Sequence, residues 1–183
     1  MGEVAPPPTP SVIPAKAGIP GREVSGAHSS RDPGFRRDDV VEPPFWEKPL
    51  AALDRGQWEA LCDGCGKCCL HKVEDADTGE VHATNVACRL LDRHSGQCTN
   101  YRGRRAFVPD CIRLTADKVG RYDWLPSTCA YRLRAAGKPL PDWHYLKSGS
   151  RETVHEAGES VRGWTIAEGE AGPIEHHLID REL

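Results

Sequence analysis

CDGCGKCCLH, residues 62–71, carries four cysteines, Cys62, Cys65, Cys68 and Cys69, separated by small or charged residues. The other four, Cys88, Cys98, Cys111 and Cys129, follow singly, so all eight thiols of the 183-residue chain lie between Cys62 and Cys129. Such a density signals covalent or metal stapling. The opening residues, MGEVAPPPTPSVIPAKAGIP, lack the charged stretch leading into an apolar one that marks a secretory signal. The chain is therefore expected to be cytoplasmic, where thiols stay reduced and serve metals or redox chemistry in preference to disulfides.

Thiolates bind zinc or iron–sulfur clusters because these are borderline or soft acceptors. A two-residue gap lets successive thiolates turn toward one centre. Gly64 and Gly66 suit that turn, since glycine adopts positive φ without steric cost and lets backbone N–H groups face sulfur. Cys62, Cys65 and Cys68 are thus candidate ligands of a single centre. Cys69 is harder to place, because adjacent cysteines seldom reach one ion without strain; it faces a second centre or acts alone. Structural zinc usually takes two separated CxxC pairs, whereas this chain has one dense run and four singles. The triplet is closer to a ferredoxin run, though its fourth ligand and following proline are missing. The balance leans to iron–sulfur over zinc. Eight thiolates suffice for two four-ligand centres, or for one centre and a set of redox-active thiols.

Charge is nearly balanced, with 24 Lys+Arg against 27 Asp+Glu and a pI of about 6.2. That argues against a general nucleic-acid binder, which needs a basic surface to displace counterions. It also leaves no polybasic membrane anchor, and no apolar run approaches the roughly 20 residues of a spanning helix.

The length suits one domain. Residues 1–41 are rich in Pro, Gly, Ser and charge and cannot bury enough surface to offset their ordering entropy, so a disordered extension is expected. A cysteine-cluster domain then spans 42–166, followed by a loose acidic tail at 167–183. Within the domain, Asp54 and Gln57 form a capping box opening a short helix that ends near Cys62. HKVEDADTGEVHAT reads as a hairpin around Asp77-Thr78-Gly79, and CRLLDRHSGQCTNY as a second one turning at His94-Ser95-Gly96. TADKVGRYDWL is expected to be helical. So is STCAYRLRAAGKP, capped by Ser127 or Thr128 and stopped by Gly137 and Pro139. SRETVHEAGES suits a helical turn or two, and VRGWTI a strand. The fold class expected is α+β: a small, irregular single domain of short helices and β-hairpins, stapled by a cysteine-ligated metal centre.

These residues resemble the CxxCxxCC cysteine-cluster family, the YkgJ-like zinc- or iron-chelating domains, most closely its YcgN-like branch. The C-x2-C-x2-C-C run is Cys62, Cys65, Cys68 and Cys69. CRLLD from Cys88 to Asp92, CTNY from Cys98 to Tyr101, and Arg104 or Arg105 with Cys111 continue the pattern. WLPSTCAYR, Trp124 to Arg132, and WHYLKSGS, Trp143 to Ser150, look like signatures of the branch. The likeness spans about residues 44–166. Ala106 and Tyr145 stand where the family usually has proline, which bears on loop geometry and not on ligands. The resemblance implies metal chelation, with all eight cysteines as the candidate ligand set, and supplies no substrate or protein partner.

Other groups weigh less. Cys129, at a helix start, is expected to have a lowered pKa and to serve as ligand, nucleophile or redox sensor, or else as a buried structural thiol. His71, His144, His155, His176 and His177 could ligate metal, but each reads better as a surface or capping residue. Arg102, Arg104 and Arg105 form a basic cluster that could bind phosphate or RNA; a solvated face is the commoner outcome. Glu74, Asp75, Asp77 and Glu80 lack EF-hand spacing. Three functional classes stay open: a metal- or cluster-chelating protein, an iron–sulfur oxidoreductase-type enzyme, and a zinc-stabilised module contacting protein or RNA.

Overall fold

A computed structural model describes residues 42–180 and 183; the extension expected at 1–41 lies outside the described residues. Among the described residues the regular structure comprises five short α-helices and a small sheet. In chain order the elements are α1 (Arg55–Ala60), β1 (Leu70–Glu74), β2 (Val81–Ala87), α2 (Arg104–Phe107), α3 (Ala130–Ala135), α4 (Tyr145–Ser148), α5 (Thr153–Glu156) and β3 (Ile166–Ala167). The domain is α+β, as its sequence pattern implies. No helix among the described residues is long and apolar enough to cross a membrane.

The start of α1 follows directly from its sequence. Asp54 Oδ1 accepts from the Gln57 backbone N–H at 2.8 Å, and the Gln57 side chain accepts from the Asp54 N–H at 3.2 Å. Its end is held by distant side chains. A helix leaves its last carbonyls without intrahelical partners, and here Tyr131 donates to Trp58 O, Tyr145 to Ala60 O and His144 Nε2 to Leu61 O. His144 Nδ1 in turn accepts from the Leu146 N–H at 3.2 Å. The fully buried imidazole is therefore satisfied as the neutral Nε2–H tautomer.

β1 and β2 pair antiparallel, with Leu70 opposite Ala87 and Glu74 opposite Val81, and an irregularity between Leu70 and Lys72. The turn between them is built on Asp75, whose Oδ1 accepts from the Asp77 and Thr78 N–H groups and the Thr78 hydroxyl. β3 adds parallel to β2 through Val86–Ile166 and Ala87–Ala167, so β2 is central.

Two buried apolar clusters flank the cysteine run. Leu61, Val119, Leu125, Ala130, Tyr131 and Leu140 form one, with Trp46, Leu50, Leu53 and Trp58 packed on it. Leu70, Ala87, Leu91, Val161 and Leu183 form the other. Leu61 precedes Cys62 and Leu70 follows Cys69, so each end of the run is anchored by a buried leucine in a different cluster. Fully burying such a side chain contributes about 1.5–3 kcal/mol.

Several expectations are revised. The second hairpin is present as a single bridge, Leu91–Cys98, flanked by bonds from Asp92 N–H to Gln97 O at 2.9 Å and from Thr99 N–H to Leu90 O at 2.8 Å, without regular strands on either side. TADKVGRYDWL forms only a 3₁₀ turn at Val119–Arg121. The strand near VRGWTI begins at Ile166 instead. Cys129 itself is the N-cap residue of α3, without a side-chain cap bond, in place of Ser127 or Thr128. The described part of the acidic end makes contacts back to the domain. Leu178 bridges Thr84, Ile179 N–H donates to Ala83 O at 3.0 Å, and Glu168 pairs with Arg89 and His71. Ala83 and Thr84 of β2, His71 of β1 and Arg89 supply partners that charge counting does not reveal.

Candidate metal centre

All eight cysteines are unbridged thiols, and all eight line one cleft of about 1290 Å³. The fold assembles them from separate sources. The run between α1 and β1 supplies four. The Leu70–Ala87 register then sets Cys69 beside Cys88, whose N–H donates to Cys69 O at 3.0 Å. The Leu91–Cys98 bridge returns Cys98 to the same place. Cys111 follows α2, and Cys129 opens α3.

The run itself is held rigidly. Asp63 Oδ1 accepts from the Cys65 N–H at 2.9 Å, and Gly66 takes φ +76°. The Gly96 Cα lies so close to the loop that a Cβ there would stand 1.8 Å from Gly64 O. Val161 N–H donates to Cys65 O at 2.9 Å. Lys67, whose side chain is 3 % exposed, pairs with Glu159 at 2.6 Å. Its charge therefore faces away from the thiols and into the α5–β3 segment.

The thiols influence one another along the cleft, with Cys69 acted on by Cys68 and Cys62 on one side and Cys88 on the other. Enclosure in the cleft wall raises Cys62, followed by the Asp63 carboxylate and Cys68, with Cys129 contributing less. Cys65 is raised by burial, then Asp63, Cys68 and Cys62. Cys68 is the exception: a hydrogen bond from Cys69, whose sulfur lies 4.0 Å away, brings it down to about 7, with the Lys72 ammonium helping and burial opposing. Cys69, the donor of that bond, is raised in consequence. Cys129 is pushed up to about 12 by burial, which outweighs the N–H groups of Arg132 and Tyr131. The lowered value expected for it at a helix start is therefore reversed; α3 is six residues long and its pull is weaker than desolvation. Burial raises Cys88, and the charges of Glu168, Cys111 and Cys98 add to the rise. Arg104 stacks on Tyr101 at 4.0 Å, donates to Tyr101 O and faces Cys111 and Cys98. Cys129 packs on the first apolar cluster, Cys69 and Cys88 on the second.

Among the described residues, no three of His, Cys, Asp or Glu already surround one point as a metal would require. The donors line one cleft, to which Cys62 and Cys68 are exposed. The donor chemistry fits a borderline or soft cation. A second feature fits as well: the carboxylate of Asp63 is buried, and its Oδ2 has no hydrogen-bond partner among the described residues. Asp63 and Lys67 are the residues that sequence reasoning passed over. The available signal was an acid lying between two ligand-spaced cysteines.

Of the candidate histidines, His71, His155 and His177, like His144, have structural partners. His71 pairs with Glu168 at 3.1 Å, His155 Nδ1 meets Ser160 Oγ at 2.7 Å, and His177 contacts Ala171 O.

The family model described as "CxxCxxCC: Putative zinc- or iron-chelating domain" matches residues 61–130. A UPF0260 protein of Rhizorhabdus wittichii is 64% identical over 143 residues, 78% of this chain and 98% of that one. A UPF0260 protein of Rhodobacter capsulatus is 59% identical over 131 residues, 71% and 88% of the two chains. A third, from Brucella melitensis, is 58% identical over 129 residues, 70% and 85%. No solved structure matches the chain.

Proposed function

The chain belongs to the CxxCxxCC family of zinc- or iron-chelating domains, among the UPF0260 proteins, and on that footing we propose that it holds iron or zinc through two adjacent sets of cysteine thiolates. Cys62, Cys65, Cys68 and Cys129 make one set, around Asp63; Cys69, Cys88, Cys98 and Cys111 make the other. This division resolves the difficulty of the adjacent pair, since Cys68 and Cys69 then serve different sets. The observation that carries the reading is the lining of one cleft by all eight unbridged thiols.

Two four-thiolate sets favour iron–sulfur chemistry over a lone zinc ion, which needs only one closed tetrahedral set. Bound iron would supply one-electron redox capacity, and bound zinc a covalent-strength cross-link between the two apolar clusters. The chain's own contribution is to fix the ligand loop at both leucine-anchored ends and to tie Lys67 to Glu159, away from sulfur.

Anaerobic purification tests the reading. Iron with acid-labile sulfide in a brown protein supports clusters; stoichiometric zinc in a colourless one supports the zinc alternative. Replacing Cys62, Cys65 and Cys68 together by serine should abolish metal at the first set and leave at most half the content. Full metal retention by that variant would end the assignment.

A further inference from the structure

Asp63 lies inside the ligand run, between Cys62 and Cys65, is 5% exposed, and lines the thiol cleft. Its two oxygens do different things. Oδ1 accepts from the Cys65 N–H and shapes the loop. Oδ2 is buried without a hydrogen-bond partner. A buried carboxylate oxygen left in this state is costly, and buried charges in folded proteins are paired or coordinate metal. Nearby cations have partners of their own: Lys67 Nζ meets Glu159 at 2.6 Å, Lys72 Nζ meets Leu70 O at 2.9 Å and the Trp124 ring at 4.8 Å, and Arg151, in the same cleft, stacks over the Tyr145 ring at 3.8 Å. The loop cannot swing Asp63 outward without losing its Oδ1 bond and the glycine contact at Gly64–Gly96. A cation held by the neighbouring thiolates of the cleft is the partner that this buried oxygen lacks.

We propose that Asp63 Oδ2 is itself a ligand, so that the first centre is a four-coordinate sulfur–oxygen site in which the Asp63 carboxylate takes the place of one of the four thiolates of its set. The inference rests on the thiolate reading above and adds to it a hard donor. An oxygen donor among thiolates narrows the cargo to borderline divalent cations such as ferrous iron or zinc, which take both donor types, and disfavours purely thiophilic ions such as cuprous copper.

The experiment is X-ray absorption on the full chain loaded anaerobically with zinc alone, in the wild type, Asp63→Asn and Asp63→Cys. Asp63→Asn keeps an acceptor for the Cys65 N–H while removing the charge. The wild type should show sulfur at about 2.3 Å and an oxygen at about 2.0–2.2 Å from zinc. Asp63→Asn should bind zinc more weakly by more than the roughly 10–100-fold that losing an outer hydrogen-bond partner costs. Asp63→Cys should exchange the oxygen for one additional sulfur, a change that a merely structural aspartate would not produce. A sulfur-only shell in the wild type overturns the inference without needing any variant to fold. An unchanged sulfur count in folded Asp63→Cys overturns it too. In both cases the thiolate reading survives. A wild-type shell without sulfur overturns both.

Discussion

The Lys67–Glu159 pair is unequally buried, and that inequality predicts the sign of a mutational asymmetry. The Lys67 side chain is 3% exposed, that of Glu159 30%, and the two meet at 2.6 Å. Glu159→Ala strands an ammonium in the interior beside the cysteine run. Removing one partner of a buried pair costs about 3–5 kcal/mol because the remaining charge is uncompensated. Lys67→Met instead leaves the carboxylate, which reaches water, and keeps an apolar stem of similar length in the buried slot. Only the net worth of the hydrogen bond is lost, about 1 kcal/mol. At about 2–4 °C per kcal/mol for a chain of this size, Glu159→Ala should lower Tm by roughly 6–20 °C and Lys67→Met by a few degrees. Thermal and urea unfolding of both variants and of the double variant, under reducing conditions with metal content matched, measures this. The double variant should recover most of what Glu159→Ala loses. If Lys67→Met proved as damaging as Glu159→Ala, the idea that burial of the cation sets the cost would be wrong.

Gly96→Ala sets a side chain 1.8 Å from Gly64 O at φ +69°. It should cost more than the about 1–2 kcal/mol of a left-handed residue alone and release metal as the ligand loop shifts. Gly79→Ala, at φ +72° with nothing within 4 Å, should cost only that conformational penalty, so paired denaturation curves and metal assays compare the two. His144 offers a pH test. Burial depresses its pKa, so the unfolded chain takes up a proton that the folded chain refuses as pH falls below about 6.5. Stability should be full above that value and decline toward pH 5.5, and His144→Gln should flatten the decline in urea titrations at the two pH values. An equally steep decline in the variant would move the acid sensitivity elsewhere.

Short-range chemistry was legible in the chain itself. The Asp54–Gln57 box, the Asp75 turn and the positive φ of Gly64 and Gly66 each follow from residues a few positions apart, and their energetics are local. The C-x2-C-x2-C-C spacing likewise marks, from local sequence alone, the loop proposed to chelate. What spacing could not determine was which scattered thiols meet, because that depends on the Leu70–Ala87 register and on where α3 packs. Nor could it tell that Cys129 is governed by desolvation in place of its helix, that the acidic end finds partners on β2, or that one oxygen of Asp63 is left unpaired. Burial and partner choice are properties of the whole packed domain; a carboxylate or thiol has the same covalent structure in every loop, and only its surroundings decide whether it is solvated, paired or left unpaired.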